Sequence, residues 1–400
     1  MNRHRGLLAV TADATRSGAT LLLGSLLREL GRDGAIDPDR TRVLAGSGGG
    51  RDPRLLQAGT VRVAVPAAEI AGEAAARVHP RARPTGEKVG LAWGLLRDLR
   101  RDPGPPDVVW AHGETALHLV DALPRPARRA PLVAHVQSEG VGLRRALGDR
   151  DVARALAPAA VVVASSERVR RHLVHDLGLE PARVTVHLPW VPDLGPEGPP
   201  PVTSRRPDGA PADALVVAAC GTLGWRRGAD LFLELAGRLP REVAGRPVHL
   251  VWVGGAEDGS AAERFAADVR ARDLTGRLDV VGEVDDPAPW LAGCDLLVGV
   301  GRTEALPTAT LEAAARGRPT VGWPASGMGE VLPEDGRQEC LVPDLDGRAL
   351  AARVVAVLAE PGLRRALGTS AHAHVLTHHQ ARPAVRALWS DVAAHLARRL

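Results

Sequence analysis

Two carboxylates eight residues apart, Glu304 and Glu312, stand in the segment Arg302-Thr303-Glu304-Ala305-Leu306-Pro307-Thr308-Ala309-Thr310-Leu311-Glu312. The apolar run Leu296–Val300 before them reads as a buried strand ending in glycines. Pro307 cannot lie inside a helix, so a helix is expected from Thr308, with its hydroxyl as N-cap. Glu304 then falls in a loop and Glu312 about one turn into the helix, both near the sheet edge. A helix start offers free N–H groups and a positive dipole end, which suit phosphate; carboxylates beside it suit the hydroxyls of a sugar or ribose. A glycoside-hydrolase pair would also need two carboxylates, and spacing alone does not exclude it.

Further groups suit a diphosphate. In Gly221-Thr222-Leu223-Gly224-Trp225-Arg226-Arg227-Gly228, glycines permit close backbone approach, and two guanidiniums at a helix start can form forked hydrogen bonds. Trp225 receives no role. In the first half, Ala14-Thr15-Arg16-Ser17-Gly18-Ala19-Thr20 lies between the first strand and the first helix, another place for backbone amides to meet a diphosphate, or merely a tight strand–helix turn. Gly46–Gly50 does not open a helix and reads as a surface loop.

Positioning these groups requires βαβ units. Strands are expected at Leu7–Val10, Arg42–Ala45, Val61–Val65, Val108–Ala111, Leu132–Val136, Val161–Ser165 and Val184–His187, then at Leu215–Ala219, His249–Val253, Leu278–Val281, Leu296–Val300 and Thr320–Gly322. Helical patterns lie between them. Residues 189–213 are rich in Pro and Gly and read as a linker. The expectation is an α/β protein of two doubly wound, Rossmann-like domains facing across a cleft: 1–188, the linker 189–213, 214–370, and a helical tail 371–400 that returns to the first domain.

Composition agrees with a soluble two-domain protein of 400 residues. A net charge of +4 does not argue for nucleic acid. Lys88 is the single lysine, so Arg stands where other chains use Lys. Cys220, Cys294 and Cys340 lack zinc spacing and fit a reduced, cytoplasmic protein. No run approaches the roughly 18 apolar residues that span a bilayer. The basic, amphipathic Trp93–Arg101 could touch a membrane surface, but a helix packed on its own domain with Arg outward is preferred. His172 and His175 read as solvated, and His378-His379 as exposed tail.

Together these motifs resemble the retaining glycosyltransferases of family 4, which have the GT-B fold. The family's Glu, seven residues, Glu pattern is matched by Glu304 and Glu312, its Gly…Arg-Lys-Gly loop by Gly221–Gly228, and its Val-Gly-Gly by Val253-Gly254-Gly255. Arg227 stands in place of the family's Lys, and Thr308-Ala309-Thr310 in place of a more apolar run. The resemblance implies that Arg226 and Arg227 bind the donor diphosphate, Glu312 the ribose, and Glu304 the donor sugar. Backbone around Leu306, Pro307, Thr308 and Ala309 would bind sugar or phosphate, and Gly282-Glu283-Val284 the base. The family's N-domain His would be His135, or its place is taken by Gln137.

The expected activity is retaining transfer of a sugar from a nucleoside-diphosphate sugar to an acceptor (small molecule, glycan or lipid-linked), with neither metal ion nor cofactor. A sugar-nucleotide epimerase or hydrolase of the same fold, or a catalytically silent binding protein, are the alternatives. A pyridoxal-dependent phosphorylase is disfavoured, because its cofactor lysine is missing from the second half.

Overall fold

The computed structural model describes residues 5–14, 17–47, 60–63, 105–147, 152–192, 194–195, 198–256, 259–304 and 307–398. The chain divides into two compact units, 1–188 with 381–400, and 189–380.

The first unit is built on seven parallel strands: β1 (Leu7–Asp13), β2 (Arg42–Ser47), β3 (Thr60–Val63), β4 (Val108–His112), β5 (Leu132–Val136), β6 (Ala159–Ala164) and β7 (Val184–Val186), in the order β3-β2-β1-β4-β5-β6-β7. β4, β5 and β6 are buried along their whole length. Their unbroken apolar runs are what a parallel sheet covered on both faces requires. The order reverses between β1 and β4, where Thr11 pairs with His112, so a crevice opens at the carboxyl ends of those strands. The helix Gly18–Arg32 follows β1 directly and buries Leu22, Leu23, Leu26, Leu27 and Leu30. Ser17 caps it, its hydroxyl oxygen accepting from the Thr20 N–H at 3.2 Å.

The last helix, Ala381–Ala397, also belongs to this unit, burying Val385, Leu388, Val392 and Leu396 at helical spacing. It is tied to Asp33, the C-cap of the first helix, by Arg386 Nη2 at 2.8 Å and Arg382 Nη2 at 3.1 Å. A carboxylate at a helix C-terminus opposes the dipole. Here the Arg386 guanidinium, bonded to Asp33, holds its carboxyl below the usual 3.8. A lowered pKa contributes stability above the unfolded value, and that contribution is lost as pH falls through the folded one. Asp33→Asn should therefore lower the urea midpoint at pH 7 and leave it unchanged at pH 2. An equal loss at both pH values would contradict the ion-pair role.

The second unit has β8 (Leu215–Cys220), β9 (Glu242–Val243), β10 (Arg246–Val253), β11 (Leu278–Gly282), β12 (Leu296–Gly299) and β13 (Thr320–Gly322). The parallel order β11-β10-β8-β12-β13 reverses between β8 and β12. Short β9 runs antiparallel to the start of β10 through Ala244 and Gly245, both at positive φ (50° and 73°), the backbone of a primed hairpin turn. Under the sheet, Phe232 meets Trp252 edge-on at 5.4 Å, and both are fully buried.

Residues 371–400 are not one continuous helix. Pro361–His378 ends at His379, and the last helix begins at Ala381. His379 is buried rather than an exposed tail residue, because the break sets it against the 189–191 segment. Its Nδ1 lies 2.7 Å from the Pro189 carbonyl, and its own carbonyl accepts the Val191 N–H at 2.9 Å. His172 is likewise partnered, to Asp176 at 2.7 Å. Residues 93–101 lie outside the described residues. Among the described residues no helix is long and apolar enough to cross a membrane.

Candidate functional site

The β8/β12 crossover of the second unit gathers most of the residues singled out in that half. Two buried tryptophans fix its loops. Trp252 Nε1–H donates to the Gly221 carbonyl at 2.9 Å, and Trp323 Nε1–H donates to the Gly301 carbonyl at 2.8 Å. Gly254, at φ 141°, approaches Gly221 so closely that a Cβ would stand 2.1 Å from the Gly221 oxygen. A Cβ on Gly228, at φ 76°, would stand 1.9 Å from the Val300 oxygen. Only glycine lets the loop after β8 lie against the loop after β12.

Those loops bring Arg227 and Glu304 into an ion pair, with side-chain exposures of 24% and 16%. The pair lines a small pocket with Cys220, Gly299, Pro307 and Ala309. Arg227 Nε is buried there without a hydrogen-bond partner. Burial, and then the neighbouring Arg226 charge, push the Arg227 pKa down to about 9. At that value the guanidinium beside the Glu304 carboxylate is still cationic at neutral pH. Glu312 belongs to the same cluster: the Cys220 thiol is pushed up to about 12 by burial and then by the Glu312 carboxylate, with Arg227 opposing.

Thr308 starts the helix Thr308–Ala315 but does not cap it; Pro307 holds the cap position at φ −80°, and no side chain caps that end. The proline's fixed φ displaces the hydroxyl from the cap by one residue. Leu306 lies outside the described residues. Gly282, at φ 81°, ends β11, and its carbonyl accepts the Gly254 N–H at 3.0 Å; Val284 packs on the core cluster of β8 and β12. Both lie toward the β10/β11 side of the pocket.

Arg302, for which no role was expected, joins the two loops. Its guanidinium forks onto Asp230 (2.7 and 2.6 Å), donates to the Trp225 carbonyl at 2.8 Å and lies 4.8 Å over the indole of Trp225. Its backbone N–H donates to the Arg226 carbonyl at 2.9 Å. An Asp in the first turn of one helix and an Arg at the end of a neighbouring strand was the available signal, but it needed the strand order to read.

In the first unit, the β1/β4 crossover collects buried polar side chains beside Gly18. His112 Nδ1 accepts the Trp110 indole N–H at 3.4 Å, while Nε2 lies 2.8 Å from the Ala19 carbonyl and 2.9 Å from the Gln137 amide. Burial lowers its pKa to about 4. Glu114 Oε1 accepts the Gln137 N–H at 2.6 Å, yet burial raises the carboxyl above its usual range. His135 lies deeper, in the strand itself, edge-on to Trp110 (5.9 Å) and His112 (5.0 Å). Neither of its ring nitrogens has a hydrogen-bond partner, and burial holds its basicity well below the ordinary range. Gln137, beyond the strand end, makes the polar contacts instead. His112 and Glu114 went unpredicted, although a polar His-Gly-Glu directly after an apolar strand marks such a crevice.

Comparison with known proteins decides the family. Residues 18–192 match the family described as Glycosyltransferase Family 4, and residues 214–360 match Glycosyl transferases group 1. A D-inositol 3-phosphate glycosyltransferase of Thermobispora bispora is 30% identical over 345 residues, 79% of this chain and 76% of that protein. The chain belongs to the family 4 glycosyltransferases. The lipopolysaccharide core biosynthesis glycosyltransferase LpsE of Rhizobium meliloti is 30% identical over 162 residues; that match spans 40% of this chain and 45%, less than half, of the relative's length. In three dimensions the chain resembles Anabaena HepE, solved in complex with UDP and glucose, with a TM-score of 0.74 at 18% identity over 98% of this chain and 100% of that one. This likeness establishes the GT-B fold of two parallel-sheet α/β domains.

Proposed function

We propose that this family 4 glycosyltransferase moves a sugar from a nucleoside-diphosphate donor to an acceptor hydroxyl, with retention at the anomeric carbon. The observation that carries the reading is the Arg227–Glu304 pair at the β8/β12 crossover, beside a helix start that no side chain caps. In this reading Arg227, with Arg226 on the same loop, holds the diphosphate, and the uncapped N–H groups of Thr308 and Ala309, presented by the turn at Pro307, add donors to it. Glu304 contacts the donor sugar and Glu312 the ribose hydroxyls. Gly221 lets the backbone approach, and Gly282 and Val284 hold the base. Gly18 and the His135–Gln137 region serve the acceptor side, with Gln137 better placed than His135 for a polar contact.

Negative charge grows on the departing diphosphate as the anomeric carbon becomes oxocarbenium-like. Fixed cationic donors aimed at that charge stabilise the transition state more than the ground state. The guanidiniums, rather than a metal ion, carry this role. A ligand preferring a pocket already ion-paired pays little to organise it, since Glu304 holds Arg227 in place before the donor arrives.

Glu312→Ala should weaken binding of the cognate nucleoside diphosphate roughly tenfold in calorimetric titration, the worth of one or two hydrogen bonds to a charged group. Unchanged affinity would remove Glu312 from the site. Incubation with the donor and no acceptor separates transfer from epimerisation, which would yield a new sugar nucleotide.

A further inference from the structure

Trp225 has no part in the proposed donor site, and yet it is unusually placed. The residue is 56% exposed, one of few large apolar residues among those described to face solvent so fully. Instead of packing against the following helix, it stands under the Arg302 guanidinium, 4.8 Å from its ring centroid. Arg302 is itself locked, forked onto Asp230 and bonded to the Trp225 carbonyl at 2.8 Å. An exposed indole braced on one face by a fixed cation has little rotamer freedom left to lose when something stacks on its other face. Solvent exposure of a rigid, apolar ring costs free energy that a ligand would recover.

Position identifies which part of a ligand that would be. Arg227 and Glu304 line the pocket, whereas Trp225, two residues before Arg227, is not part of the lining. Trp225 is bridged by Arg302 to the loop after β12. The groups assigned to the base, Gly282 and Val284, lie on the opposite, β10/β11 side. A stack on Trp225 therefore falls on the β12 side, that of Glu304, the residue assigned to the donor sugar, and not on the β11 side assigned to the base.

The chemistry around the indole narrows the class further. The indole face is electron-rich and attracts the partly positive C–H bonds of a ring face. Around it stand polar groups, including Asp230, whose side chain is 55% exposed. Each Asp230 oxygen accepts one bond from Arg302 and keeps a further lone pair in solvent, which a hydrocarbon would cover, whereas a pyranose or cyclitol ring offers a C–H face bordered by hydroxyls that donate to it.

We propose that Trp225, braced by Arg302 and Asp230, is the stacking platform for a hydroxylated six-membered ring in the acceptor. It is a specificity-determining residue for the proposed transfer and rests on that reading. The test uses the wild-type chain with whichever nucleoside-diphosphate hexose stabilises it in a thermal-shift screen, and a panel of methyl and p-nitrophenyl glycosides and free inositols as acceptors. For the best acceptor, Trp225→Ala should raise the half-saturating concentration roughly tenfold, and Trp225→Phe should recover most of that loss. The affinity for the free nucleoside diphosphate, measured by calorimetry, should change less than about twofold in both variants. An unchanged acceptor KM, or a tenfold loss of nucleotide affinity instead, would overturn the platform role, the latter placing the base on Trp225. Failure of the wild type to bind any nucleoside-diphosphate sugar would overturn the donor reading itself, a different outcome from either.

Discussion

Arg227→Ala is expected to lower kcat/KM for the donor by roughly 10²–10³-fold, with turnover and donor affinity falling together. Arg227 is the cation paired with Glu304 in the pocket, and its partnerless Nε is a buried donor awaiting an acceptor oxygen. Removing it deletes the charge facing the departing diphosphate and leaves the Glu304 carboxylate, 16% exposed, without its counter-ion. Both effects act where negative charge accumulates. Arg227→Lys, the residue usual in the family, should keep the charge and lose the fork, retaining more activity than the alanine variant. Donor kinetics unchanged in Arg227→Ala would sink the assignment of this pocket.

Gly228→Ala should be a severely damaging single-methyl change in the second unit. The added Cβ would meet the Val300 carbonyl oxygen at 1.9 Å while the residue sits at φ 76°. A left-handed alanine costs on the order of 1 kcal/mol, and an overlap with backbone forces a shift costing about 1–3 kcal/mol more. For a unit of this size that is a drop in Tm of roughly 5–15 °C. Because Gly228 follows Arg227, the same shift separates Arg227 from Glu304, so donor affinity should fall as well. Gly237→Ala is the control: no atom lies within 4 Å of its Cβ position, and helix propensity predicts a neutral or stabilising change. Equal thermal curves for Gly228→Ala and wild type would contradict the packing described.

The sheets were legible in the sequence because parallel strands buried on both faces are short, unbroken apolar runs, as in Val108–His112 and Leu215–Cys220. The two-residue β9 was not, since its pairing depends on Ala244 adopting a conformation that alanine rarely takes. The helix Thr308–Ala315 was foreseen but its cap was not: Pro307 signals a boundary without saying on which side the cap falls. Burial of His379 depends on a partner 190 residues away in sequence, which no local pattern reveals.

Among functional groups, Glu304, Glu312 and Arg227 could be singled out because their spacing follows one loop and one helix. The groups that hold them differ in kind. Trp252 and Trp323 donate to Gly221 and Gly301 across the sheet, and Arg302 reaches Asp230 from another strand. Such contacts follow from the order β10-β8-β12-β13, not from neighbours in the chain. In the first unit the same blindness favoured His135, which the strand buries, over His112 and Glu114 at the strand end.

The claim that the β8/β12 crossover holds the donor is tested most directly by hydrogen exchange with and without the nucleoside diphosphate that binds. Protection is predicted for peptides covering 219–230 and 299–315, and it should vanish in Arg227→Ala at the same nucleotide concentration. Protection confined to the first unit, or unchanged exchange in both segments at saturating nucleotide, would contradict the account.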